Sequence, residues 1–202
     1  MQAAEFAAEL TRQLLTYANA QNVPDELLDL NELIDANISL LNATLLNGVM
    51  LQRDLTPNLP PIEAKRAHIQ QIVMNLIINA AESIEGGNGI IVLRTGREML
   101  REHDKRHTFV NGRSPHPGSY VYLQITDTGC GMSSQQMQKI FSPFYTTKPT
   151  GRGLGLSTIL DIVNLYQGGI TVESKPNLGT TFCIFLPLPT HLGVMPNMTM
   201  LH

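Results

Sequence analysis

The sequence predicts an α/β domain in which a mixed β-sheet is covered on one face by helices. Segments with the alternating apolar pattern of strands occur among segments with helical spacing, and their order lacks the strict strand–helix–strand repeat of a parallel sheet. The chain has 202 residues, of which 43% are hydrophobic. This size allows one domain with a full core and some additional helix.

The N-terminal segment is predicted to be a separate amphipathic helix. Residues 3–20 are rich in good helix formers and carry apolar side chains at roughly helical spacing. Nothing nearby in the sequence would cover this apolar stripe, so we expect it to pair with another helix, including one from a second copy of the chain. Pro24 interrupts the pattern and marks a linker or a new helix start.

Three elements are predicted before residue 86. A helix is expected over residues 30–47 and a short strand over Val49–Leu51, after which three prolines prevent regular structure until about Glu63. From Lys65 to about Glu85 the pattern is again helical, with a wide apolar face. Spacing of three or four residues places a polar row along one edge of this helix, where it can face a common site: Gln71, Asn75, Asn79 and Glu82.

The second half of the chain predicts four strands and one helix. A strand at Ile90–Arg94 precedes a long polar insertion, residues 95–119, which in turn precedes a strongly alternating strand at Tyr120–Thr126. The last elements are a helix at about Leu154–Tyr166, stopped by glycines, and a hairpin of two strands, Ile170–Ser174 and Thr181–Leu186.

Composition excludes several classes of function. A formal charge of -3 gives no electrostatic reason to expect a nucleic-acid partner. No apolar run approaches the roughly 18–20 residues that cross a bilayer, and no signal-peptide pattern is visible. The two cysteines, Cys130 and Cys183, suggest neither a disulfide framework nor a metal cluster. We therefore expect a cytoplasmic location, for a full-length protein that could be membrane-anchored.

Four short motifs occur in a fixed order: NLIINA at 75–80, DTGCGM at 127–132, PFYTTK at 143–148 and GRGLGL at 151–156. Asp127 closes a strand and is followed by Gly129 and Gly131, so its carboxylate can stand at the strand end and accept a hydrogen bond from the exocyclic amine of adenine. The alternative is an ordinary turn aspartate, since Asp-x-Gly is common in loops.

The other motifs supply candidates for a metal and for phosphates. Asn79 offers an uncharged oxygen to Mg²⁺, which typically takes most other ligands from water and nucleotide phosphates; a buried asparagine bonded to backbone is the alternative. Glycines at 151, 153 and 155 precede a helix whose N–H groups can hold phosphate oxygens. Lys148 and Arg152 can neutralise phosphate charge, although basic loop residues are often merely solvated. Three aromatic residues either seat a flexible cover or belong to the core: Phe141, Phe144 and Tyr145.

This ordered set resembles the C-terminal catalytic module of sensor histidine kinases, within the superfamily shared with type II topoisomerases, the large heat-shock chaperone and mismatch-repair ATPases. The resemblance covers about residues 28–188 and includes a final glycine box at 179–181. It implies the Bergerat α/β sandwich with ATP under a mobile lid of about residues 133–152, Asn79 on Mg²⁺, Asp127 on adenine and Thr181 near the base. The expected nucleotide-binding residues are Asn79, Glu82, Asp127, Gly129, Gly131, Met132, Phe141, Lys148, Arg152, Gly153, Leu154, Gly155, Leu156 and Thr181. The expected catalytic residues are Asn75, Asn79 and Lys148.

The resemblance also implies a domain plan and partners. Residues 1–22 resemble the end of the dimerisation hairpin, 23–29 a linker, 30–188 the ATP-binding domain and 189–202 a tail. The implied partners are a phosphoacceptor histidine helix, a response-regulator receiver domain and, in the full-length protein, a second copy. Among the subfamilies of these kinases, the sequence most resembles the nitrogen-regulatory sensor kinases.

Asn75 separates a kinase from the ATP-splitting relatives, which carry a glutamate one turn before the metal asparagine. Asparagine is not a comparable general base, so hydrolysis is expected to be slow, whereas phosphoryl transfer to an imidazole mainly needs alignment and charge neutralisation. Two alternatives stay open. One is a chaperone- or topoisomerase-type ATPase, for which Glu82 is the only nearby carboxylate; the other is a non-catalytic nucleotide-binding scaffold.

No histidine lies in the context of a phosphoacceptor. The candidates His68 and His103 are both expected on the surface, so the phosphoacceptor is expected outside this chain, because the chain is part of a longer protein or acts on a separate one. The basic insertion 95–119 is expected to be a solvated loop or a docking surface for a response regulator.

Overall fold

The computed structural model describes residues 24–44, 48–84, 88–102, 105–110, 114–148 and 153–189, with the backbone alone for 39–44. The predicted helix 3–20 and the tail from residue 190 lie outside the described residues. The elements in chain order are β1 (Glu26–Leu28), α1 (Leu30–Thr44), β2 (Val49–Leu55), β3 (Ile62–Ala64), α2 (Arg66–Ser83), β4 (Gly89–Leu100), β5 (Gly118–Asp127), α3 (Ser134–Met137), α4 (Gly155–Leu165), β6 (Gly169–Ser174) and β7 (Thr180–Pro187).

The main sheet has five strands in the order β2-β4-β5-β7-β6. β2 pairs with β4 in parallel, and the remaining neighbours are antiparallel. The predicted mixed sheet is therefore confirmed. Its inner face, formed on β5 by Val121, Leu123 and Ile125, is buried in one core with the apolar sides of α1, α2 and α4.

The predicted linker 23–29 contains a strand instead. β1 pairs antiparallel with β3 to form a second, two-stranded sheet, in which Leu28 lies opposite Ile62. Both side chains are buried in the main core. Burying these two apolar residues stabilises strand pairing in a segment whose proline and acidic residues suggested a linker.

His68 is buried rather than exposed. Its side chain is 3% exposed and lies on the apolar stripe of α2, four residues before Ile72. Its Nδ1 lies 2.8 Å from the hydroxyl oxygen of Tyr166, which also accepts the N–H of Lys65, the residue that precedes α2 (3.0 Å). The tyrosine hydroxyl thus satisfies a backbone donor at the start of α2, where no side chain of the segment itself provides a cap.

The insertion 95–119 is strand at both of its ends. β4 continues to Leu100 and pairs with β5 as far as Gly118. Thr95 is buried because its hydroxyl donates to Asn31 Oδ1 (2.8 Å) and accepts the N–H of Thr56 (3.2 Å). The hydrogen-bond partners of this polar side chain are distant in sequence. Composition alone therefore could not show that the segment is a strand, and it indicated a loop.

The outer face of the sheet is partly covered by a strap, residues 105–110. Its apolar contacts form a second cluster that contains Leu100, Phe109, Tyr120, Cys183 and Phe185. Phe109 makes a bridge with Thr171 on edge strand β6, and the rings of His107 and Phe185 meet edge to face with their centroids 4.9 Å apart. The described helices pack on the inner face, in line with the expectation, and the strap adds cover to the other face at this end of the sheet. Burial, with two nearby carboxylates, raises the pKa of Cys183 to about 12.

Candidate nucleotide-binding site

One edge of α2 contacts each of the other three motifs. At its C-terminal end the Ser83 hydroxyl lies 2.9 Å from Asp127 Oδ1. One residue earlier, Glu82 Oε2 pairs with Lys148 Nζ at 2.6 Å. Two turns earlier, the Asn75 side chain donates to the carbonyl oxygen of Gly155 across 3.4 Å. The edge that carries the predicted polar row therefore faces a single site.

Asp127 ends β5 and is only 4% exposed. Its Oδ1 accepts hydrogen bonds from Ser83 and from the N–H of Gly129 (2.8 Å). Gly129 allows this arrangement because a Cβ at that position would lie 1.9 Å from Ser83 Oγ. The same hydroxyl lies 2.7 Å from the carbonyl oxygen of Ala80, so its single proton has two acceptors within reach.

Burial raises the pKa of Asp127 above its ordinary value, because a carboxylate loses hydration at this position. The N–H of Gly129, the Ser83 hydroxyl, the backbone N–H of Thr180 and the charge of Lys148 oppose this effect in part. Asp127 is thus a buried acid whose ionised form depends on a few donors. Any further hydrogen-bond donor that enters the site would stabilise the ionised form of such a group.

Asn79 lies one turn before Ser83 and is half-buried. It belongs to the same helix edge as Asn75 and Glu82, which contact the other motifs. Within the part of the chain that the structure describes, no three His, Cys, Asp or Glu side chains are grouped to hold a metal. A lone amide oxygen suits Mg²⁺ that takes its remaining ligands from water and phosphates.

The N-terminus of α4 is not capped by a side chain. The hydroxyls of Ser157 and Thr158 both turn back to the carbonyl oxygen of Leu154, at 2.9 and 2.8 Å. They therefore leave the first-turn N–H groups, including that of Gly155, to a ligand. Leu156 is partly buried and packs on the main core, which anchors this helix end.

The part of the predicted lid that follows Phe144, which we call the lid loop, is closed at its base. The N–H of Phe144 donates to the carbonyl oxygen of Gly153 (2.9 Å). Gly153 has a φ of +67°, and a Cβ there would lie 2.4 Å from the carbonyl carbon of Phe144. Phe141 and Tyr145 pack on the main core. Gly151 and Arg152, the remaining predicted phosphate contacts, lie outside the described residues.

The lid predicted over 133–152 begins with ordered structure. α3 is fixed by a capping box between Ser133 and Gln136, and just before it the Met132 N–H donates to Ser174 Oγ (2.8 Å). Gly131 adopts a φ of +63° against the backbone of Lys175. These contacts fasten the first glycine box to the hairpin of β6 and β7.

The structure corrects the expectation for Thr181. Thr180, not Thr181, lies opposite Asp127 in the pairing of β5 with β7. Neighbouring residues of a strand point to opposite faces, so Thr181 extends to the outer face, where its hydroxyl lies 3.0 Å from that of Thr126. Thr180 is 5% exposed on the side of Asp127. The two-residue period of the strand was a signal for this assignment, whereas no sequence signal indicated Ser83.

A model of the family described as histidine kinase-, DNA gyrase B-, and HSP90-like ATPase matches residues 64–190. The chain is 36% identical over 189 residues to the sensor kinase CckA of Brucella abortus (strain 2308), across 92% of this chain and 19% of the relative. It is 31% identical over 184 residues to the signal transduction histidine-protein kinase AtoS of Escherichia coli (strain K12), across 89% of this chain and 27% of the relative.

Among solved structures, the nucleotide-free catalytic domain of histidine kinase ThkA is similar to this chain, with a TM-score of 0.59 and 27% identity. The similarity covers 82% of this chain and 96% of that domain. The chain thus spans a fifth to about a quarter of the two curated relatives named above, but nearly all of a separate kinase catalytic domain. No helix in the described ranges is both long and apolar enough to span a membrane.

Proposed function

We propose, because the chain belongs to the family of histidine kinase-, DNA gyrase B- and HSP90-like ATPases, that it is the ATP-binding catalytic domain of a sensor histidine kinase. In this proposal it transfers the γ-phosphoryl group of Mg-ATP to a histidine outside this chain. The observation that carries the proposal is the contact of one edge of α2 with all three other motifs. This contact brings Asp127, the polar row with Asn79 and the N-terminus of α4 to one site, where they would serve as the base-recognising acid, the metal-binding amide and the phosphate-binding helix end.

Asp127 is proposed to select adenine at what we call the adenine end of the site, where α2 ends at Ser83. Its carboxylate would accept a hydrogen bond from the exocyclic amine of the base. The donors already present orient the carboxylate, and its burial excludes competing water. The adjacent Gly129, Gly131 and Met132 form the wall of this end, and Thr180 replaces Thr181 as the nearby threonine.

The triphosphate is proposed to extend along α2 to the phosphate end, where Asn75 meets Gly155. Asn79 lies between the two ends and is the proposed ligand of Mg²⁺, which would neutralise and align the phosphates. The uncapped start of α4, with Gly153, Leu154, Gly155 and Leu156, would hold phosphate oxygens on its N–H groups. Lys148 and Arg152 would add positive charge.

Asn75 and Glu82 together favour a kinase over an ATPase. The position from which a carboxylate would activate water holds the Asn75 amide, which already bonds to Gly155. Glu82 lies seven residues further on, roughly 10 Å along the helix axis, and its carboxylate is paired with Lys148. Neither residue is placed to act as a general base on water, so slow hydrolysis remains the expectation.

The proposed partners and location are those of sensor histidine kinases. We propose a phosphoacceptor histidine helix as the substrate, a response-regulator receiver domain as the next acceptor, and a dimer in the full-length protein. The proposed subfamily is the nitrogen-regulatory type and the proposed location is the cytoplasm. A basic edge near the strap is a candidate contact for an acidic receiver domain, with Arg97, Arg101 and Lys105 exposed.

The assigned role of Asn79 can be tested by calorimetric titration with a non-hydrolysable ATP analogue. Asn79→Ala is expected to weaken binding in the presence of Mg²⁺ by roughly tenfold, which corresponds to about 1.4 kcal/mol, and to have little effect in its absence. Gln70→Ala, on the same helix but outside the polar row, is the matched control.

Phosphoryl transfer needs a second assay. A supplied dimerisation hairpin with its histidine should become phosphorylated by the parent chain and ATP, with little free phosphate released. Binding that ignores both Mg²⁺ and Asn79→Ala would contradict the metal assignment. Steady hydrolysis abolished by Glu82→Gln would instead favour the ATPase, and nucleotide binding without any transfer would favour a scaffold.

A further inference from the structure

Glu82 and Lys148 form an ion pair across the candidate site. Lys148 Nζ lies 2.6 Å from Glu82 Oε2, and the two side chains are 32% and 51% exposed. Lys148 belongs to the lid loop, and Glu82 belongs to α2. This pair joins Lys148, in the loop that follows Phe144, to α2 in the body of the domain.

The pair lies at the adenine end of α2, away from the proposed metal position. Because an α-helix rises 1.5 Å per residue, Glu82 is about 4.5 Å from Asn79 along the helix axis and about 10 Å from Asn75. Glu82 is adjacent in sequence to Ser83, the partner of Asp127. Burial raises the pKa of Asp127 and the charge of Lys148 opposes this rise, so the ammonium group held by Glu82 lies near the adenine end of the site.

We propose that Glu82 competes with the nucleotide for Lys148. Glu82 holds the ammonium group in the empty site, and a bound triphosphate takes it over. The proposal rests on the nucleotide site proposed above. A triphosphate carries several negative charges against the single charge of a carboxylate, so the exchange favours the nucleotide. Breaking the pair nevertheless lowers the net affinity for the nucleotide.

The two possible roles of Glu82 predict opposite signs. A glutamate that contacted the nucleotide directly would, when removed, weaken binding. A glutamate that competes for Lys148 would, when removed, strengthen it. Half-exposed ion pairs contribute little, so the expected gain is about two- to fivefold. Loss of one negative charge near a triphosphate also strengthens binding through the general field, and the test must separate this effect.

A double-mutant cycle separates the competition for Lys148 from the general effect of removing a negative charge. Affinity for a non-hydrolysable ATP analogue with Mg²⁺ is measured for the parent, Glu82→Gln, Lys148→Met and the double variant. We expect Glu82→Gln to tighten binding about two- to fivefold, Lys148→Met to weaken it, and Glu82→Gln to give only the smaller gain of the general field when Lys148 is absent. Glu63→Gln, an equal charge change at an exposed position on β3, is the matched control and should leave affinity unchanged.

The outcomes distinguish this inference from the function on which it rests. Unchanged or weaker binding by Glu82→Gln would overturn the competition, as would an equal gain in the Lys148→Met background. A parent chain that does not bind the analogue would overturn the proposed nucleotide site itself, and the inference with it. Melting curves of all variants, at equal protein concentration, verify that each one is folded when it is titrated.

Discussion

At the residue scale, Asp127 lowers the stability of the fold at neutral pH and is also the residue proposed to recognise adenine. A carboxylate that is 4% exposed has lost most of its hydration, and burial accordingly raises the pKa of Asp127. The folded chain holds the proton of this group more tightly than the unfolded chain does. Below the ordinary pKa of 3.8 the group is neutral in both states, and as the pH rises through the raised pKa its ionisation destabilises the fold.

Asp127→Asn is therefore expected to increase the stability of the nucleotide-free protein at pH 7. The amide keeps an oxygen that can accept from Ser83 and Gly129 but carries no charge to desolvate. The gain should shrink as the pH is lowered towards 4, because the parent carboxyl then becomes neutral. Urea unfolding at a series of pH values measures this difference.

The same substitution should weaken binding of the ATP analogue, which separates recognition from folding. Asp161→Asn, the same substitution at an exposed position on α4, serves as the control. A loss of stability at neutral pH in Asp127→Asn would show that the ionised form is needed for folding, contrary to this argument. Unchanged affinity would instead support the non-catalytic scaffold.

Motif spacing was sufficient to predict single residues whose chemistry is specific, but not their partners. Asp127 and Asn79 were recognisable because a carboxylate at a strand end and an amide on a helix edge each suit one part of a nucleotide. Ser83 and Thr180 were missed since their importance lies in contact with Asp127, and that contact depends on how β5, β7 and the end of α2 meet in space.

At the scale of elements, α2 and α4 are joined by a buried polar contact. Tyr166, just after α4, accepts the N–H of Lys65 and lies 2.8 Å from His68 Nδ1. One arrangement satisfies both contacts with a neutral ring: the hydroxyl accepts from Lys65 and donates to Nδ1. Burial lowers the pKa of His68, and the charge of Lys65 lowers it further, while Asp25 opposes both effects.

The lowered pKa of His68 predicts acid sensitivity of this contact. A histidine that is harder to protonate in the folded state stabilises the fold above its ordinary pKa of 6.5, and this contribution is lost as the pH falls from 6.5 through the lowered pKa. We expect His68→Asn, whose amide oxygen can replace Nδ1, to flatten the dependence of unfolding free energy on pH below 6.5. His116→Asn, at an exposed position, should leave the slope unchanged. Equal slopes for the parent and both variants would contradict a role for His68.

Element boundaries were predictable where the hydrophobic pattern was complete and failed where polar residues found distant partners. The spacing of apolar residues predicted α2 to within two residues at each end. β4 was predicted too short because Gly96 and the charged residues after it are not typical of a strand. Thr95 is satisfied by Asn31 and Thr56, and Gly96 makes room for the ring of Tyr122, which a Cβ would meet at 2.6 Å or less.

At the scale of the whole molecule, the sheet separates two clusters with different tasks. β7 illustrates the division: Ile184 points into the main core under the helices, whereas Phe185 points to the outer face, where Phe109 of the strap covers it at a ring separation of 5.6 Å. The nucleotide site depends on α2, α4 and the strand ends. The strap depends on the outer face alone.

This division predicts that the outer cluster contributes to stability without affecting nucleotide binding. Phe109→Ala removes a side chain that is 7% exposed and should lower the free energy of unfolding by about 3 kcal/mol, as is typical when a buried phenylalanine is truncated. Affinity for the ATP analogue should stay within twofold of the parent under conditions where the variant is folded. Urea unfolding and calorimetry measure the two quantities, and Met99→Ala, at an exposed position, is the control. A change in affinity without a loss of stability would contradict the separation, because it would require the strap to act on the site through the sheet rather than by packing on its outer face.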